Sequence, residues 1–123
     1  MNSKQKDILE RAAKLYMKLG IRSVTMDDMA RHLGLSKKTL YNHFTDKSQL
    51  VKEIIRLRIA QDQAVCKSFA LKSKNAIDEL LHVSEFVIES LSSINTTVFH
   101  DLKKSHPDAW KILEEHRFGF VYN

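Results

Sequence analysis

Apolar residues at Ile8, Ala12, Leu15, Tyr16 and Leu19 follow steps of four, three, one and three, which gathers all five onto one face of an α-helix. A first helix is therefore expected from about Lys4 to Leu19. Gly20 closes it, since helices commonly end on a residue at positive φ that glycine adopts without steric cost. Thr25 is placed to cap a second helix. Its hydroxyl can accept from backbone N–H groups near Asp28, and Asp27 and Asp28 lie favourably against the positive end of the helix dipole. Met26, Met29, Ala30 and Leu33 make the apolar face of this short helix, which Gly34 stops. Ser36 then reads as the N-cap of another short helix, Lys37 to about Phe44.

Asp46 opens a much longer helix carrying Leu50, Val51, Ile54, Ile55, Leu57 and Val65. It has no interrupting Gly or Pro and ends near Phe69 or Leu71. After the polar stretch Lys72 to Asn75, residues Ile77, Leu80, Leu81, Ser84, Val87, Ile88 and Leu91 trace one face of a fifth helix that ends near Ile94. Asn95 or Thr96 can cap a short helix through Phe99 and Leu102. Pro107 suits the first turn of a last helix containing Trp110, Leu113 and Phe120. The period is helical throughout, so the fold class expected is all-α.

Composition agrees with that pattern. The 123 residues include only 3 Gly and 1 Pro, too few for the tight turns of an all-β domain. No run approaches the roughly 20 apolar residues of a membrane span, and the N-terminus alternates charge with hydrophobicity where a signal peptide has an unbroken apolar core. A soluble, cytoplasmic protein with no membrane partner is expected. The single cysteine, Cys66, offers neither a disulfide nor a thiolate zinc site and reads as a small apolar filler. Charge is uneven. Residues 1–50 hold ten Lys and Arg against five Asp and Glu, a net of +5, whereas residues 51–123 hold ten against ten. The positive excess points to a nucleic-acid-facing N-terminal module, although basic surfaces also serve solubility.

Two short helices joined by a glycine-containing turn describe the helix-turn-helix, whose second helix lies in the DNA major groove. Residues 25–44 fit that description. Gly34 permits the change of direction, Ala30 lets the helices approach closely, and Leu40 and Phe44 can pack inward. Left outward are Ser36, Lys37, Lys38, Thr39, Tyr41 and His43, an inventory of cations, hydroxyls and an aromatic suited to phosphates and base edges. Many helical hairpins with a central glycine bind no DNA, so the geometry leaves both readings open.

The wording of the segment narrows them. Thr25-Met26-Asp27-Asp28-Met29-Ala30, then Gly34-Leu35-Ser36-Lys37-Lys38-Thr39-Leu40-Tyr41-Asn42-His43-Phe44, then Asp46-Lys47 and Leu50, closely resembles the TetR family of bacterial transcriptional regulators. Lys6, Ile8, Leu9, Ala12, Ala13, Leu15 and Gly20 fit the family's first helix. The resemblance implies a three-helix DNA-binding head with a helix-turn-helix in residues 1–50. In 51–123 it implies a long connecting helix and a partial helical domain for ligand binding and dimerisation. It implies that Thr25 and Ser36 anchor phosphates through hydroxyls and adjacent helix N-termini, and that Tyr41 and His43 reach the backbone or a thymine methyl. Lys47 is expected to grip another phosphate. Lys37, Lys38 and Thr39 lie nearest the start of the recognition helix, where side chains project towards base edges. Lys38 departs from the family, which often has a small residue there, so the operator cannot be borrowed from a relative.

The implied partners are a double-stranded, palindromic DNA operator, a small apolar or aromatic effector, and a second copy in the full-length form. The implied activity is that of a ligand-responsive repressor. Family chains normally continue further, so the regulatory half is expected to be incomplete, and the apolar ending Phe118, Phe120, Val121 and Tyr122 suits a fragment or a self-association surface. Phe86, Phe99 and Trp110 are candidate effector-pocket residues, with ordinary core packing as the other reading. His82, His100, His106 and His116 lack the i, i+4 spacing that places two imidazoles on one metal, so neither metal nor cofactor is expected. Glu85 with Glu89 and Glu114 with Glu115 read as solvated helix faces, and no catalytic constellation stands out. The rival class is an architectural or protein-interaction helical module that binds DNA weakly or nonspecifically.

Overall fold

The computed structural model describes the backbone of residues 2–92, 94–95 and 97–122, and the side chains of these residues except 91 and 117–122. Among the described residues seven helices follow in chain order: α1 Ser3–Leu19, α2 Met26–Leu33, α3 Lys37–His43, α4 Lys47–Lys72, α5 Ala76–Ser92, α6 Thr97–Ser105 and α7 Pro107–Tyr122. The expected all-α head and connecting helix are present. The apolar ending read at Phe118, Phe120, Val121 and Tyr122, like the cap read at Thr96, lies outside the residues whose side chains are described.

Short-range hydrogen bonds set the helix boundaries. Thr25 Oγ1 accepts from the Asp28 N–H at 3.1 Å while Asp28 Oδ2 accepts from the Thr25 N–H at 3.2 Å, a reciprocal capping box. Ser36 Oγ accepts from the Thr39 N–H at 3.0 Å and Asp46 Oδ1 from the Gln49 N–H at 2.8 Å. At the end of α2, Gly34 sits at φ 70°, ψ 26°. The Leu35 N–H reaches Ala30 O and the Gly34 N–H reaches Arg31 O, the paired closure that a left-handed glycine allows.

The core is assembled around α1. Ile8, Leu9, Ala12 and Tyr16 meet Met29 and Leu33 of α2, Leu40 and Phe44 at α3, and Leu50, Val51 and Ile54 of α4, all buried. Val98, Leu102 and Ala109 extend the same cluster into α6 and α7. α4 is one uninterrupted helix whose first half belongs to this core, while Leu71 near its end is 88% exposed. The apolar stripe of α5 is not covered as its periodicity suggests: Ile77 is 72% exposed and Ile88 67%. α5 packs chiefly on α4, where Phe86 meets Phe69 edge to face.

Candidate nucleic-acid interface

The second and third helices owe their placement to the side they bury. Met26, Met29, Ala30 and Leu33 anchor α2, and Leu40 and Phe44 anchor α3, so the remaining positions must face outward. Thr25, Ser36, Lys37, Lys38 and Tyr41 are exposed, and Thr39 and His43 are half-buried. These seven therefore share the region formed by the start of α2 and the length of α3. Arg11 of α1 braces it from behind, its Nη2 donating to Leu33 O at 3.2 Å.

Several of these groups are already engaged. Lys37 Nζ lies 3.2 Å from Asp27 Oδ1, an exposed pair linking α3 to α2. Such pairs are weak in water and exchange readily for a phosphate. The Ser36 and Thr39 hydroxyls are 2.8 Å apart, which ties the first turn of α3 together. Lys38 makes no ion pair among the described residues. Hydrogen bonds from Thr25, reinforced by Arg31 and His32, hold the Asp28 carboxyl below the usual carboxylate range, so the capping box is charged at neutral pH.

Lys47 is turned inward. Its Nζ donates to Ile21 O at 2.6 Å and stands 5.9 Å from the centre of the Tyr16 ring. Burial lowers its pKa, against the opposing pull of Asp101 and Asp28. The expectation of a phosphate grip missed this contact because nothing local to Lys47 reveals a carbonyl 26 residues away.

Residues outside the motif also shape it. Asp101 of α6, buried, accepts from the Arg22 N–H at 3.1 Å, and Asn95 both donates its N–H to Met17 O and reaches Lys18 O with Nδ2. Gly20, at φ 88°, lies so close to α6 that an added Cβ would stand 2.7 Å from Thr97 Oγ1. His106, between α6 and α7, is within 3.4 Å of Ser48 Oγ, and burial followed by Lys47 pushes its pKa down. The turn between α1 and α2 is thus fixed from α4 and α6 together. Asn95 caps α6 as its sequence suggests, its Oδ1 accepting from the Thr97 N–H at 3.0 Å, but sequence reading missed the bonds of Asp101 and Asn95 to residues 79 and 77 positions away and the approach of Thr97 to Gly20.

The three aromatic effector candidates do not share one cavity. Phe86 packs on Phe69, Trp110 packs against the main core, and Phe99 is half-buried on α6. A groove of about 550 Å³ between α1 and α4 is lined by none of them. Among the described residues no three His, Cys, Asp or Glu side chains come together to hold a metal ion, and no helix is long and apolar enough to cross a membrane.

Residues 8–54 match the family described as "Bacterial regulatory proteins, tetR family". Over 123 aligned residues the chain is 36% identical to the HTH-type transcriptional repressor KstR2 of Mycobacterium tuberculosis, covering 98% of this chain and 58% of that protein. It is 31% identical to YvaF, an uncharacterized HTH-type transcriptional regulator of Bacillus subtilis, over 89% of this chain and 57% of the relative. The solved structure of KstR2 superposes with a TM-score of 0.74 at 22% identity, over 97% of this chain and 63% of that one. A TetR-family regulator from Bordetella parapertussis gives 0.76 at 18% identity, over 99% and 65%. These two likenesses speak for the fold. The chain spans somewhat more than half the length of the curated relatives it matches.

Proposed function

Because the chain belongs to the tetR family of bacterial regulatory proteins, we propose that it binds duplex DNA through α2 and α3 as part of a ligand-responsive repressor. The observation that carries this reading is the outward set Thr25, Ser36, Lys37, Lys38, Thr39, Tyr41 and His43 on a helix pair whose opposite side is wholly committed to the core. Lys38 and Lys37 supply charge for the major groove, with Lys37 leaving Asp27 for the DNA. The Thr25 hydroxyl accepts from its capping N–H and keeps its proton to donate to phosphate, and of the bonded Ser36 and Thr39 hydroxyls one proton is left over for the same use. Lys47 supports this surface from behind by holding the α1–α2 turn. Two copies on a palindromic operator would place their α3 helices about 34 to 36 Å apart, and an effector acts by favouring a different spacing of the heads.

The test begins with duplexes selected from a random pool. A regulator enriches one site and binds it at least about a thousandfold more tightly than unselected DNA, whereas an architectural module enriches nothing. On the selected duplex, Lys38→Ala should flatten the plot of log affinity against log salt by about one unit or less. Lys47→Met should leave that slope unchanged and lower the urea midpoint instead, since a charged hydrogen bond of this kind is worth about 1.5 to 3 kcal/mol. A full unit lost from the slope at Lys47, with stability intact, would return that lysine to the phosphate contacts.

A further inference from the structure

Where α1 and α4 diverge they leave the groove of about 550 Å³, and none of its lining residues comes from α2 or α3. Its apolar surface is supplied by Ala13 and Met17 of α1 and by Ile54, Ile55 and Leu57 of α4, with Ile54 and Ile55 buried and the other three half-buried. Its edge is cationic. Lys14 and Lys18 are exposed and make no ion pair among the described residues, and Arg58 engages Asp62 through Nε at 3.3 Å. Glu10 is the one carboxylate of the lining, and it accepts from Gln61 Nε2 at 3.2 Å across the mouth. Three cations therefore face one anion around an apolar bed, in a volume ordinary for small-molecule sites, about 300 to 1,000 Å³.

That pairing selects its ligand. A neutral apolar compound would leave the lysine charges unused, and a nucleic acid has no need of Met17, Ile54 and Leu57. We propose that the α1–α4 groove binds a small single-headed anionic amphiphile, its chain on Met17, Ile54 and Leu57 and its carboxylate between Lys14, Lys18 and Arg58. The groove is lined by none of Phe86, Phe99 and Trp110 and by no residue of the DNA-facing surface, so the proposal stands whether or not the chain binds DNA. A ligand seated there touches both helices and fixes their spacing two turns beyond the Lys47 end of α4.

The experiment uses the full 123-residue chain carrying labelled Met and Ile methyl groups, titrated with decanoate below its micellar range and followed by NMR. The Met17 and Ile54 methyls should shift saturably, while Ile77 and Ile88 on the exposed stripe of α5 do not. Decyltrimethylammonium and decanol, which share the chain and lack the anion, should each bind at least about tenfold more weakly. Lys14→Glu with Arg58→Glu should cost about tenfold in decanoate affinity, and Lys14→Arg should retain it. Unchanged methyl spectra of the free variants establish that they fold. Equal binding of all three head groups, or shifts confined to α5, would show adsorption to apolar surface and overturn the proposal. Met17 shifts that follow protein concentration alone would assign the groove to a second copy and overturn it as well.

Discussion

Gly20→Ala is a sensitive probe of how the head is fastened to α6. Gly20 sits at φ 88°, ψ 159°, a backbone region open essentially to glycine alone, and forcing alanine into it costs about 1 to 3 kcal/mol. The new Cβ would also stand 2.7 Å from Thr97 Oγ1 and 3.7 Å from Asp101 Oδ2, closer than real Cβ atoms approach their neighbours in the first case. Thr97 can rotate only by giving up its hydrogen bond to Asn95 Oδ1, so overpacking adds about another 1 kcal/mol. The expected total is about 2 to 4 kcal/mol, which moves a urea midpoint by about 1 to 2 M for a slope near 2 kcal/mol/M. Gly34→Ala is the comparison, because Gly34 has φ 70° with nothing within 4 Å of an added Cβ, and only the left-handed cost of about 1 to 2 kcal/mol applies. Thr97→Ala in the Gly20→Ala background should recover part of the loss. Equal losses at the two glycines, with no coupling between Gly20 and Thr97 in the double-mutant cycle, would refute the close approach of α6.

Phe44→Ala should destabilise by about 3 to 5 kcal/mol in chemical unfolding, since this ring is buried where α3 meets the core. Full stability with selective loss of DNA binding would contradict its role as an anchor. Asp28 gives a pH signature: its pKa is lowered in the fold, so its stabilisation is complete above the ordinary carboxylate value of 3.8 and disappears as pH falls through the lowered folded value. Melting temperatures of the parent and of Asp28→Asn should therefore differ at pH 6 and converge on acidification, and a gap that persists at pH 2 would place the effect elsewhere.

Local signals in the sequence carried much of this architecture. Thr25, Ser36 and Asp46 each accept an N–H three residues on, and Gly20 and Gly34 each close a helix at positive φ, so the rule and its outcome lie within one turn of chain. Ile77, Leu80, Leu81 and Ile88 mark the limit of what periodicity carries. Their period correctly gives a helix, but period reports that a face is apolar and not that anything in the chain covers it. The Lys47 contact escapes sequence reading for a related reason: a lysine opening a helix beside a DNA-binding motif suggests phosphate, while the Ile21 carbonyl that it reaches is visible only once α1 and α4 have packed. The aromatics Phe86, Phe99 and Trp110 sit on α5, α6 and α7, and composition has no means of telling which helix faces converge.

The unbroken run of α4 has a mechanical consequence. At 1.5 Å per residue its 26 residues form a rod of about 39 Å, free of the glycine or proline that would let it bend sharply. Were α4 to tilt about the stretch buried in the core, Leu50 to Ile55, the arms would be about 8 Å to Lys47 and about 29 Å to Lys72. A tilt that carried the far end by about 3 Å would move Lys47 by somewhat less than 1 Å in the opposite sense. Such a rod would exchange amplitude for force, and its short arm ends on the 2.6 Å bond to Ile21, where a fraction of an ångström is the difference between held and released.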